Sequence, residues 1–144
     1  MLIQAFVLAA LTQPQTLPVI ALRAPNAMLH VQVANSESQR ERGLMGVRRL
    51  PPRTGMVFVF PGDGPVTFWM KDTLVPLDMV FVSRAGVVRS ILARVPTVDP
   101  KLPDDRIPRR QGSAMYVIEL PAGEARVDGI RVGTRIGDLP AGTP

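Results

Sequence analysis

From Met28 to Ala34 the side chains alternate, with Leu29, Val31 and Val33 on one face and Met28, His30 and Gln32 on the other. A period of two marks a half-buried strand. The same period returns over Val66–Lys71, where Val66, Phe68 and Met70 oppose Thr67, Trp69 and Lys71. Met56–Phe60, Asp78–Ser83 and Ala114–Leu120 are near-continuous apolar runs, the pattern of strands covered on both faces. Arg84-Ala85-Gly86 predicts a compact hairpin into Val87–Arg94, and Arg131–Ile136 predicts a last short strand. Helical signals are few. Ser36-Glu-Ser-Gln39 is a capping box that predicts a short helix through Arg42, ending near Gly43 or Gly46 with Leu44 and Met45 turned inward. Ala122–Asp128 predicts one further helical turn stopped by Gly129.

Proline and glycine punctuate these runs. Pro61-Gly-Asp-Gly-Pro65 predicts a turn, Val47–Thr54 a basic loop, and Val95–Gly112, with four prolines, a long surface loop. Thr16–Asn26, with Pro18 and Pro25, predicts a linker. Six or seven short strands with one or two short helices imply a mainly-β fold, a compact sandwich or barrel-like domain. A chain of 144 residues is long enough for one core, placed here at residues 27–138 with a tail at 139–144.

The amino-terminal run Met1–Thr12 is apolar, too short to span a bilayer and of the length of a signal-peptide core. One signal-peptide feature is missing, since no lysine or arginine precedes the run and the α-amino group alone supplies the amino-terminal positive charge, while Ala9, Ala10, Thr12, Gln13 and Pro14 form a fitting end to the apolar region. Residues 1–22 are therefore assigned to a signal peptide and linker, with cleavage between Ala10 and Ala24 and export to the periplasm as the expected destination. No later stretch approaches membrane-spanning length.

Composition removes several chemistries. With no cysteine there is no thiol nucleophile, disulfide framework or cysteine-ligated metal. His30 is the only histidine and reads as a half-exposed residue of an alternating strand, so without help from another chain it cannot build a histidine metal site or support a serine triad. No cofactor and no metal is expected. The net charge is +5, yet the basic clusters Arg48–Arg49–Arg53 and Arg106–Arg109–Arg110 lie in loops without interleaved aromatics, so nucleic acid is not expected as a partner.

Four segments, Arg40-Glu-Arg-Gly-Leu-Met45, Gly55-Met-Val-Phe-Val-Phe-Pro61, Phe68-Trp-Met-Lys-Asp-Thr-Leu-Val-Pro-Leu-Asp78 and Tyr116-Val-Ile-Glu-Leu-Pro-Ala-Gly123, stand in a recognisable order and spacing. The chain resembles, over Leu29 to Asp138, the bacterial and archaeal domain of unknown function family 192. The resemblance implies a small, often exported, mainly-β unit resembling a sandwich or jelly roll, and brings no established activity. Asp72 departs from the asparagine common in the family pattern, and Thr134 from a frequent aspartate.

The polar residues that could form a site are Trp69, Lys71, Asp72, Thr73 and Asp78, joined by Glu119 and Arg40. Trp69 and Lys71 share a strand face, so an aromatic surface meets polar groups there. Asp72 and Asp78 either brace a turn, with Lys71 paired to one of them, or act as a general acid and base. Glu119, in an apolar strand, is unremarkable if it faces solvent; facing inward it calls for an arginine partner such as Arg40. Three functional readings follow. The first is a non-catalytic binding or accessory module of the cell envelope, taking a small molecule or an envelope protein. The second is a hydrolase-like enzyme using Asp72 and Asp78. The third is a structural domain that meets another protein through its arginine loops. No residue is assigned as catalytic.

Overall fold

A computed structural model describes residues 13–142. Met1–Thr12, the core of the expected signal peptide, lies outside the described residues. Six strands, β1 (Val19–Arg23), β2 (Met28–Ala34), β3 (Thr54–Phe68), β4 (Leu77–Val82), β5 (Val88–Val95) and β6 (Arg110–Pro121), form one sheet in the order β1-β2-β3-β6-β4-β5. Only β2 and β3 run parallel; all other neighbours are antiparallel. Two short helices, α1 (Glu37–Arg42) and α2 (Glu124–Val127), complete the mainly-β fold, and the sheet is open at its β1 and β5 edges.

Alternation along the central strands sends side chains to two faces, and each face carries its own core. Val57, Val59, Val80, Val82, Ile118 and Leu120 pack on one side, under Ala125, Ile130 and Ile136. Met56, Phe58, Met79, Phe81 and Val117 fill the other, under Leu44, Val47 and Val75. Both faces of β4, of Gly55–Val59 in β3 and of Ala114–Leu120 in β6 are thereby removed from water, which is why those runs carry no polar alternation. The resulting burial is the main favourable contribution to folding.

Five local expectations are corrected. The proline-bearing stretch 16–26 contains strand β1, whose Leu22 is fully buried and whose register pairs Ile20 with Val31. Pro61–Pro65 does not end a strand: β3 continues through it, and the register against β6 shifts between Val59 and Gly64. The extra residues, 60–63, form a bulge in which Pro61 has no ladder partner, and Pro65 lies beyond it in register with Ser113. Asp63 at its tip accepts two hydrogen bonds from the Arg89 guanidinium, at 2.5 and 2.9 Å. The long loop before β6 is shorter than expected, since Arg110, Gln111 and Gly112 already pair with Phe68, Thr67 and Val66. Residues 131–136 hold a single bridge, Val87 to Arg135, instead of a strand. The expected tail also begins as part of the domain, with Leu139 packed on the core and Tyr116 donating its hydroxyl to the Pro140 carbonyl at 2.8 Å.

Parallel pairing of β2 with β3 forces the chain to travel back along the sheet between them, and α1 lies on that return path. Two glycines let elements approach closely. A Cβ on Gly55 would stand 1.9 Å from the Glu119 carbonyl oxygen, and one on Gly112 would stand 2.3 Å from the Phe81 ring. A side chain at Gly55 would require the Glu119 backbone to shift, and one at Gly112 would require the buried Phe81 ring to move.

Candidate binding cavity

Helix α1 starts as its sequence predicts. The Ser36 hydroxyl accepts from the Gln39 N–H, and the Gln39 side chain accepts from the Ser36 N–H. It ends at Gly43 (φ 47°), whose missing Cβ admits the Phe58 ring, 3.2 Å from where that atom would be. Gln15 donates to the Gln39 and Gly43 carbonyls at 2.9 and 3.0 Å, so the segment before β1 satisfies the helix's last turn.

Between α1, the 69–73 segment, Arg109 and the β3–β6 pair lies a cavity of about 860 Å³. Its floor is aromatic. Phe68 meets Phe58 edge-on at 5.0 Å and Phe60 at 6.0 Å between ring centroids. Perpendicular rings of this kind present both edges and faces to the space beside them. Its walls carry cations held by aromatics. The Arg40 guanidinium stands 5.3 Å from the Phe60 centroid and donates to the Val59 carbonyl at 2.9 Å. The Arg109 guanidinium lies 4.3 Å from the Trp69 centroid and donates to the Ile107 carbonyl at 2.8 Å. The Lys71 ammonium also lies over Trp69, at 5.1 Å, and is paired with Asp104 at 2.7 Å.

Of the seven residues picked out by sequence, six line this cavity: Arg40, Trp69, Lys71, Asp72, Thr73 and Glu119. Trp69 is half-buried, and its ring surface holds Arg109 and Lys71 in place. Asp72 adopts φ 49°, in the left-handed region where asparagine is among the best-tolerated non-glycine residues. That gives the asparagine of the family pattern a backbone reason. The Asp72 carbonyl accepts from the Gly46 N–H at 2.9 Å, tying the Trp69 segment to the loop after α1. Thr73 is buried and donates to the Lys71 carbonyl at 3.1 Å, a role within the turn.

Asp78 is elsewhere. Its carboxylate accepts from the backbone N–H groups of Arg94, Gly123 and Ala125 at 2.8, 2.9 and 2.9 Å. It joins β4, β5 and the start of α2, and it does not line the cavity that Asp72 lines. Nor does Lys71 pair with either aspartate, since its partner is Asp104.

Glu119 faces inward, 4% exposed, on the cavity side of β6. Its register neighbours are Met56 on β3 and Met79 on β4, neither of which offers a charge. Among the described residues its carboxyl has no ion-pair partner; Arg40, the expected one, is committed to Val59 and Phe60. Burial alone pushes its pKa up from the ordinary 4.5 to about 8. The protein therefore resolves the cost of an inward acid by keeping the proton instead of supplying a counter-charge.

Phe58, Phe60 and Arg109 were missed as cavity residues by sequence reasoning. Phe58 reads as plain core, and Arg109 sits in a proline-rich loop that nothing in sequence aims at Trp69. No group of three or more histidine, cysteine or acidic side chains suited to a metal ion occurs among the described residues.

Comparison with known proteins agrees with this architecture. A family model described as DUF192, Uncharacterized ACR, matches residues 20–137. A crystal structure of a Sinorhizobium meliloti 1021 protein, described as a candidate transcription regulator, is 31% identical with a TM-score of 0.75. The match covers 86% of this chain and 96% of that one. A Novosphingobium aromaticivorans DSM 12444 protein of unknown function is 25% identical with a TM-score of 0.74, covering 83% of this chain and 85% of the other. No curated protein matches the chain.

Proposed function

Taking as premise that the chain belongs to the uncharacterised DUF192 family, whose model spans most of it, we propose that it is a non-catalytic binding module of the cell envelope whose ligand is a small molecule held in the α1 cavity. The observation that carries this reading is the convergence of an aromatic floor, two aromatic-supported guanidiniums and an unpartnered buried acid on one concavity. Small-molecule sites are mostly apolar concavities with a few oriented polar groups, and this one has that make-up. The separation of Asp78 from Asp72 speaks against a carboxylate pair as acid and base at this place.

Trp69 is the only tryptophan and lines the cavity, so its emission reports occupancy directly. Titration with envelope metabolites should give saturable changes in Trp69 fluorescence together with a rise in Tm. Turnover of a bound compound would refute the non-catalytic assignment, and unchanged fluorescence and Tm across acids, bases and neutral compounds would refute the binding module.

The envelope location rests on the apolar Met1–Thr12 run. Because Gln15 caps α1 and Leu22 is fully buried, cleavage as late as Ala24 would strip β1 from the sheet. The proposed mature chain therefore begins before Gln15. The mass of protein from a periplasmic extract checks this; unprocessed protein confined to the cytoplasm refutes it. Nucleic acid is not proposed as a partner. Arg23, Arg53 and Arg89 each stand beside a carboxylate, of Asp138, Asp128 and Asp63, which lowers the charge they offer a phosphate backbone. A gel-shift titration with duplex DNA at physiological salt should show no retardation.

A further inference from the structure

The cavity is more selective than a generic apolar pocket, and its charges decide what it admits. Helix α1 contributes Arg40 and Arg42, both half-buried, and its acids Glu37 and Glu41, which also line the cavity but are exposed to solvent, where their charge is screened. The opposite wall contributes Lys71, Asp72 and Arg109. The two strands flanking Glu119 place only Met56 and Met79 beside it. Lys71 is neutralised by Asp104. Arg40 and Arg109 have no carboxylate within ion-pair distance among the described residues, although each is fixed by a carbonyl and an aromatic ring. A guanidinium has five N–H donors, so each retains donors beyond its single carbonyl contact. At the floor, Glu119 is nine-tenths buried, lines the open space and has no partner.

We propose that the ligand of this cavity is a small organic anion with an aromatic or similarly compact apolar body, its acid group held by Arg40 and Arg109 and its uncharged far end meeting the buried, unpartnered carboxyl of Glu119. This rests on the binding-module reading and specifies its ligand class. An organic cation is the opposite case: the solvent-exposed Glu37 and Glu41 would hold it only weakly, it would pass two guanidiniums without a carboxylate partner, and at the floor it would require Glu119 to lose its proton inside an apolar enclosure. A body of ring size suits the Phe58, Phe60 and Phe68 edges, which attract flat apolar surface and offer no hydrogen bonds. Guanidiniums stacked on rings are pre-oriented for a carboxylate or phosphate, and both remain within the class proposed.

A matched set of probes separates the alternatives. Para-acetylbenzoate has the acid and a carbonyl at its far end, para-ethylbenzoate lacks the acceptor, and para-acetylbenzylamine reverses the charge. Calorimetric titration at pH 7 should show para-acetylbenzoate binding about tenfold tighter than para-ethylbenzoate, the difference made by about one hydrogen bond to a buried donor. The amine should not bind. Arg40→Ala should weaken both acids by about tenfold or more, a loss in the range of a charge-assisted hydrogen bond. Glu119→Gln keeps a neutral donor and should keep the preference for the carbonyl probe. Raising the pH past about 8 should erase that preference in the wild type and leave it in Glu119→Gln. Thermal unfolding of each variant establishes that it is folded before its affinity is read. Binding of the amine, or loss of the carbonyl preference in Glu119→Gln, overturns the anion assignment while leaving a binding module in place. Failure of all three probes overturns the anion assignment, and if the wider fluorescence titration is also flat the module falls with it.

Discussion

Replacing Glu119 with glutamine should make the protein more stable, and increasingly so as the pH rises. In the folded chain the carboxyl keeps its proton up to about pH 8, whereas in the unfolded chain it releases it near the ordinary 4.5. Between those two values the unfolded state gains by ionising and the folded state does not. Wild-type stability therefore falls through this window and levels off above it. The gap from 4.5 to about 8 is some 3.5 pH units, and each is worth about 1.4 kcal/mol, giving about 5 kcal/mol above pH 8 and about 3 kcal/mol at pH 7. Glutamine has nearly the same shape, donates in place of the acid and does not titrate, so the variant lacks this loss. Urea denaturation of both proteins at pH 4.5, 7 and 9 measures the difference directly, because every other titrating group is common to both and cancels. The difference should grow by about 3 kcal/mol between pH 4.5 and 7 and by a further increment to pH 9. Parallel pH profiles would refute the claim that Glu119 is buried without a counter-charge.

Asp78→Ala should cost about 3 to 5 kcal/mol, because the N–H groups of Arg94, Gly123 and Ala125 lose their acceptor together; chemical denaturation checks it, and a loss below about 1 kcal/mol would refute the bracing role. Asp72→Asn should leave stability within about 0.5 kcal/mol of wild type or raise it, since asparagine tolerates the φ of 49° at least as well; thermal unfolding reads the sign. Trp69→Ala should cost about 1 to 2 kcal/mol, the loss of a half-buried ring and its two cation contacts; complete unfolding in a thermal scan would show that Trp69 is core instead. Gly112→Ala should cost about 1 to 3 kcal/mol, because its Cβ would stand 2.3 Å from the Phe81 ring; a neutral result by the same scan would show that Phe81 can move aside.

Elements whose evidence is local were legible in the sequence. The alternation at 28–34 marks β2 to the residue, and the Ser36–Gln39 capping box marks α1 and its reciprocal bonds. What escaped depends on distant partners. Pro61 and Gly64 signal a turn in isolation, yet pairing with β6 on either side of a bulge carries β3 through them. Val19–Arg23 is too short and too close to prolines to announce a strand, and becomes one because β2 offers an edge. The cavity was half legible. The expected strand through Lys71 stops at Phe68, so Lys71 comes to lie over Trp69 by the turn that follows and not by a shared strand face, and no periodicity reports that Asp78 turns towards Gly123 and Ala125 while Asp72 turns to the cavity. Glu119 was visible as an acid among apolar neighbours, and the choice between inward with a partner and outward without one left out what occurs: inward, and protonated.

The position of β6 has a consequence for the order in which the chain can be assembled. It is the last strand to be made, yet it lies between β3 and β4 in the middle of the sheet. Until Arg110–Pro121 has left the ribosome, the chain holds at most two fragments, a β1–β2–β3 half and a β4–β5 hairpin, each with an unpaired inner edge. Neither fragment can close the aromatic face, because Val117 and Ala114 belong to the missing strand. Native structure must then form late and all at once, with non-local pairing as its slow step. Such a polypeptide stays unfolded during most of its synthesis, the condition in which a chain can be threaded through a narrow translocation pore, and truncation anywhere before β6 should yield an aggregating product instead of a smaller domain.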